Sequence, residues 1–296
     1  MEAALQNVFA MFLIMMASYV LMKRAPFPVQ VVNGLVFHFF LPVTTFFSIA
    51  RLPELQAGGL LLMTAGGFAA LSTTYLCAIG ACRLLALGDR FRRTFLLGAS
   101  YGNHIFLGVP ICYGFLGEAG TVPALFFALG GYLFLYSVGV YIMTGRATPE
   151  AVIKNPLILA IAAGIVFAAL RIPLPSLVTH TFSLMNAATF PLSMVVVGGG
   201  LKLRFFVDST RLIHTLCAAG IKLILSPLIA WGICRALGLS GDERVICVLQ
   251  AAMPAAVLVT IFSVKYEADP VFSSAIVSLT TIAGVATIPA LFLFIA

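Results

Sequence analysis

Apolar residues run along this chain in long blocks, separated by short polar punctuation. Ten blocks stand out, at residues 4–22, 30–50, 57–85, 94–116, 122–143, 156–170, 177–200, 211–235, 245–264 and 271–295. A helix crosses a bilayer with about 20 apolar residues. The blocks lack the alternation of barrel strands and are too long for them. Helices satisfy their own backbone groups in lipid, so the pattern predicts an all-α membrane protein of ten transmembrane helices. The first block has an acidic front, and Lys23 and Arg24 follow it. That order is the reverse of a secretory signal, so it is expected to be the first span.

The pattern also predicts a doubled chain. Arg24-Ala-Pro-Phe-Pro28 matches Arg171-Ile-Pro-Leu-Pro175 at an offset of 147, and Arg51-Leu52 matches Lys202-Leu203 at 151. Gly80-Ala-Cys-Arg83 matches Gly232-Ile-Cys-Arg235 at 152. These offsets divide the chain into a five-helix repeat at 1–143, a linker at 144–155 and a second repeat at 156–296. Five is odd, so the second repeat enters the membrane inverted. Inverted repeats are a common build of secondary transporters, whose sites lie near mid-membrane at broken helices.

Two breaks are expected at equivalent places. Span four contains Gly102-Asn103-His104, followed by Gly108 and Pro110; span nine contains Gln250-Ala-Ala-Met253-Pro254-Ala255. Gly102 and Pro254 correspond at an offset of 152. Glycine leaves helical geometry cheaply, and proline deletes a backbone hydrogen bond. Asn103 suits the N-cap of a half-helix starting at His104. Pro254 suits the first turn of one continuing through Ala255 and Ala256. The inverted repeats aim the two N-termini at one point, where their dipoles attract a carboxylate. Gly102, Asn103, His104, Gln250, Met253, Pro254 and Ala255 form the candidate substrate-binding set. Gly102, Gly108, Pro110 and Pro254 shape the crossover.

Other polar groups fall inside spans. Lys222 lies mid-span, where a charge is a functional candidate. It could attract an anion, pair with carbonyls at a break or tether helices. His104 could bond substrate, carry a proton or be a satisfied interior histidine. Gln250 could donate to substrate or bridge the break. Asn33 and Asn186, 153 apart, suit bonds across helices. Gly198-Gly-Gly200 suits close helix approach or a hinge, and His38 suits packing. No acidic residue lies mid-span, so no coupling ion, proton or sodium, is legible, and no cofactor or metal set is found.

Composition agrees with this reading. The chain is 61% hydrophobic and 9% charged, against roughly 25% charged in soluble domains. The net charge of +7 sits in loops rather than on a basic stripe, which excludes nucleic acid as a partner. With the N-terminus outside, 12 of the 17 Lys and Arg residues fall inside and four outside, Lys222 being the remaining one. The positive-inside rule thus puts both termini on the outer side. The six cysteines sit in apolar segments as packing residues, without zinc or disulfide spacing. No nucleophile–base pair indicates an enzyme.

The span-four pattern Asn103-x-x-x-x-Gly108-x-Pro110, with Gly114 and Gly117, resembles the fourth-helix motif of the auxin efflux carrier family. Gln250-Ala-Ala-Met-Pro254, then Lys265-Tyr266 and Pro270, resembles its ninth-helix motif. The likeness covers essentially the whole chain. It implies a scaffold of spans 1, 2, 6 and 7 that dimerises. It also implies a transport domain of spans 3–5 and 8–10 moving against it as an elevator, with substrate at the crossover and Asn103 in contact with it. Gly102 and Ala255 depart from the plant members, which have proline and often a polar residue there, and the long plant loop is missing. The implied substrate is therefore a small carboxylate, monoacid, diacid or auxin-like, carried in a bacterial inner membrane. A sensor of the same fold that binds without transport is the alternative.

Overall fold

The computed structural model describes residues 2–52, 57–145, 154–202 and 209–295. The linker expected at 144–155 lies largely outside these residues. Glu54, Arg146, Glu150, Leu203, Arg204 and Asp208 lie outside them altogether.

The described residues fold into helices without a named strand. Seven helices are long and apolar enough to cross a membrane. They are α1 (Glu2–Arg24), α2 (Val29–Ala50), α3 (Ala57–Leu84), α6 (Glu118–Thr144), α8 (Ser176–Gly199), α9 (Arg211–Leu237) and α12 (Pro270–Ile295). α7 (Pro156–Ala169) is apolar but shorter. Its 14 residues span about 21 Å at 1.5 Å per residue, less than the roughly 30 Å hydrocarbon core. The predicted spans four and nine are each a pair of helices. α4 (Asp89–Ser100) precedes α5 (His104–Leu116), and α10 (Gly241–Ala251) precedes α11 (Val257–Lys265).

Local chemistry explains the helix ends. α1 has Glu2 in its first turn and Lys23 and Arg24 in its last, each opposing the helix dipole. Asn155 caps α7 by accepting the Leu157 N–H at 2.9 Å, with Pro156 at the first helical position. Gly238 ends α9 in the left-handed conformation, φ 72°.

The helices pack in two groups. α1 lies along α8, and α2 lies against α7 and α8. α3 packs on α4, α6 and α9, while α12 packs on α4, α9 and α11. The groups meet where α5 faces α1 and α8 and where α2 touches α6. Gly198 lets α1 and α8 approach closely: a methyl there would overlap the Met15 carbonyl. Close approach is thus the role of the Gly198–Gly200 run, at least at Gly198. Thr44 and Thr189 share a buried hydrogen bond of 2.7 Å between α2 and α8. Large apolar side chains such as Leu13, Leu84, Leu177 and Phe294 point outward, as lipid permits and water does not. His38 is exposed rather than packed inside; it sits on α2 with its ring edge against Phe37.

Candidate functional site

α4 stops at Ser100 and Tyr101 after it is extended, while α10 stops at Ala251, turns at Ala252 and is extended at Ala256. The two segments lie antiparallel, with Gly102 paired to Ala255. Asn103 donates its N–H to the Pro254 carbonyl at 2.7 Å, and Ala256 donates to the Tyr101 carbonyl at 3.2 Å. Thr280 Oγ1 on α12 accepts the Ala255 N–H at 3.1 Å. A broken helix leaves backbone groups that lipid cannot satisfy. Here each break satisfies some of the other's groups.

Position 102 has little room for a side chain. A Cβ there would stand 2.7 Å from His104 Cε1 and 3.0 Å from both Lys222 Cε and the Met253 carbonyl. Two expectations need correction. Asn103 occupies the N-cap position, but its side chain makes no capping bond. Its carbonyl instead accepts from Leu107 and Gly108, in a wide first turn. Pro254 does not begin a helix: α11 starts at Val257, with Ala256 before it. The reason is the pairing just described, which holds Pro254, Ala255 and Ala256 extended.

Among the described residues, no carbonyl takes the N–H of Ile105 or Phe106 at the start of α5, or of Val257 or Leu258 at the start of α11. All four residues line one cavity of about 130 Å³. Gly102, Asn103 and His104 line it from the crossover, beside Tyr101. Tyr132 and Tyr136 of α6 also line it, as do Asn33 and Phe37 of α2 and Val196 and Val197 of α8. The lining holds no Lys, Arg, Asp or Glu, and the two half-helix N-termini bring the positive ends of peptide dipoles to it.

The remaining candidates stand behind this wall. Lys222 is fully buried. Its Nζ donates to the Ala251 carbonyl at 2.7 Å and to Ser226 Oγ at 3.4 Å. Ala251 ends α10, so the ammonium meets the negative end of a helix dipole. Of the roles open to Lys222, this is pairing with a carbonyl at a break. Gln250 donates to the Ala124 carbonyl of α6 at 3.2 Å and packs where Gly108 leaves room. Met253, Pro254 and Ala255 are buried in the crossover and do not line the cavity. Pro110 is buried in the first α-helical turn of α5.

His104 is held at both ring nitrogens. Nδ1 lies 3.1 Å from the Gln250 carbonyl, and Nε2 lies 3.2 Å from the Gly102 N–H. That pair of bonds fits the neutral tautomer with its proton on Nδ1. The histidine ties α5 to α10 through backbone groups on both sides of the crossover.

Sequence reading did not single out Tyr101, Tyr132, Tyr136 or Phe37 as site residues. The i, i+4 spacing of Tyr132 and Tyr136 was the available signal. It puts two hydroxyl-bearing rings on one helix face, and the rings stack with centroids 6.1 Å apart.

Comparison with known proteins decides the family. The family described as "Membrane transport protein" matches residues 3–154 and 148–293. The chain belongs to this family. The kinship inferred from the span-four and span-nine motifs holds at that level, and this member is a multi-pass integral membrane protein. An uncharacterized transporter of Methanothermobacter thermautotrophicus is 27% identical over 198 residues, 65% of each chain. One of Methanocaldococcus jannaschii is 28% identical over 198 residues, 63% of each chain. The match thus spans slightly under two thirds of these curated relatives.

Proposed function

We propose that this family member carries a small organic monocarboxylate across the membrane by alternating access. The observation that carries the reading is the pair of half-helix N-termini whose first residues, with N–H groups that no carbonyl takes, line one cavity. Each terminus is worth roughly half a positive charge, so together they balance about one carboxylate. A dicarboxylate would leave a second charge buried without a partner, at high cost. For scale, an apolar protein cavity of about 150 Å³ binds benzene; a cavity of about 130 Å³ suits a ligand of similar bulk. The Tyr and Phe walls favour an apolar body, and Asn33 and Asn103 offer amide groups to its polar end.

The two packing groups support a division into a fixed and a moving part. α1, α2, α7 and α8 form the scaffold, and the other helices form the transport domain. Polar ties within the transport domain are dense around the crossover. Towards the scaffold, α5 is tied to α1 by Asn7, which donates to the Gly114 carbonyl at 3.3 Å. In this reading the chain makes ten membrane passes as two inverted repeats, with both termini outside. The scaffold faces a second copy in a bacterial inner membrane.

The test is flux in proteoliposomes, with benzoate and other monocarboxylates presented under separate proton and sodium gradients. Asn103→Ala is expected to cut flux more than tenfold at an unchanged yield of folded protein. Unchanged flux would remove Asn103 from the ligand contact. Saturable binding without flux for every compound would leave a sensor.

A further inference from the structure

A second cavity, of about 450 Å³, lies where α3 ends, α4 begins and α6 ends, and it shares no lining residue with the first. Arg83, Arg92 and Arg93 line it with Tyr75 and Tyr141, and no Asp or Glu does. Four residues, 85–88, join α3 to α4. Leu87 donates its N–H to the Cys82 carbonyl and Ala86 to that of Arg83, both at 3.3 Å, with Ala86 left-handed at φ 49°. This tight helix stop brings the last turn of α3 and the first turn of α4 to one cavity.

The three arginines are not equivalent. Arg93 is a structural tie. It donates to the Met143 carbonyl at 2.8 Å and to the Tyr266 carbonyl at 3.1 Å, at the ends of α6 and α11, and its Nε lies 3.1 Å from Asp89. Arg92 also meets Asp89 at 3.1 Å, but both side chains are more than half exposed, and such pairs contribute little. Among the described residues Arg83 makes no ion pair or hydrogen bond, and neither do the hydroxyls of Tyr75 and Tyr141. One carboxylate thus stands against three cations. The unmet demand is for an anion with several acceptor oxygens, and the guanidinium fork matches a phosphate.

The depth of the cavity indicates what carries that phosphate. From Arg83 to Tyr75 the lining follows α3 for about 12 Å at 1.5 Å per residue, with Ile79, Leu96 and Ile142 on its walls. Leu76 and Leu84, next in sequence to Tyr75 and Arg83, are exposed as part of the lipid-facing surface. A free phosphate uses the arginines alone, whereas a phospholipid also fills the apolar length with its glycerol and acyl carbons. Basic pockets between transmembrane helices on the Lys/Arg-rich side of a membrane take anionic headgroups, and four of the eleven residues from Arg83 to Arg93 are arginine.

We infer that this cavity is a binding site for an anionic phospholipid. Its phosphate sits on Arg83 and Arg92 beside the two tyrosine hydroxyls, and its carbon chain lies along α3. The site is separate from the carboxylate cavity and independent of what that cavity carries. Its walls belong to α3, α4 and α6, so the lipid stays with that group of helices.

The test is native mass spectrometry of the full chain in micelles titrated with phosphatidylglycerol or phosphatidylcholine. The unaltered protein is expected to retain phosphatidylglycerol in preference to phosphatidylcholine. Arg83→Gln/Arg92→Gln is expected to retain it at least about tenfold less, the size of one hydrogen bond to a charged group. Unchanged retention overturns the inference. Arg83→Gln alone breaks no bond within the protein, so it serves if the double variant misfolds; its matched control is Arg90→Gln, in the same turn but outside the lining. Loss with Arg83→Gln and none with Arg90→Gln is expected. Equal loss in both overturns the site in favour of diffuse attraction to a basic surface. Glycerol 3-phosphate in excess is the soluble arm: it is expected to leave the lipid bound, and displacement would assign the cavity to a water-soluble phosphate ester instead. Thermal unfolding gives an independent reading. Phosphatidylglycerol is expected to raise the midpoint of the unaltered protein relative to phosphatidylcholine, and an equal rise in Arg83→Gln also overturns the inference.

Discussion

Lys222 illustrates what a single residue's depth does and does not reveal. Its position in the sequence predicts a charge far from either interface, and it is fully buried. Which way the amine points depends on the neighbouring helix, and a one-dimensional pattern carries no such information. The amine turns to the carbonyl at the end of α10, which also accepts from Ser226 Oγ, rather than to the cavity. Lys222→Met is therefore expected to act on stability. Hydrogen bonds to charged groups contribute about 1.5–3 kcal/mol, so thermal unfolding in detergent should show a lowered midpoint, while surviving protein keeps its flux per molecule. Normal unfolding with abolished flux would instead make Lys222 a ligand group. Asn103 was legible for a different reason. Its place directly after a helix breaker fixes it at the crossover, whatever its side chain does.

Between elements, the breaks were readable because Gly102 and Pro254 are covalent facts about backbone freedom. The pairing of the two extended segments was not. It depends on Thr280 of α12, a residue that looks like any other small polar residue of a transmembrane helix. Thr280 Oγ1 accepts the Ala255 N–H and donates its own proton to the Ile276 carbonyl at 2.7 Å. Thr280→Val keeps the shape and leaves a buried N–H unpaired, at a cost of about 1–3 kcal/mol. Thr280→Ser keeps the acceptor and should restore most of the loss. Equal thermal midpoints for Val and Ser variants would show that the crossover does not depend on this bond. The start of α11 was misread for the same reason: proline's preference for a first turn is a local rule, and the cross-chain pairing overrides it.

At the scale of the molecule, the helical, membrane-spanning character followed from hydropathy alone, since lipid admits few alternatives. The cavity wall was less legible. Tyr132, Tyr136 and Phe37 sit among many aromatic residues, and only the packing of α2 against α6 and of α8 against the crossover distinguishes the rings that line the cavity from those that face lipid. The crossover itself has a consequence for how the protein is made. Tyr101 and Asn103 are paired by Pro254 and Ala256, so either half inserted alone would carry bare peptide groups into oil. Fragments 1–145 and 154–296 expressed separately are expected to be degraded, and to accumulate only when they are made in the same cell, where they should co-purify. A long-lived solitary half would mean that the seam between them is dispensable. If the prediction holds, biogenesis is a joining problem: the first half must wait, shielded, until the second is delivered.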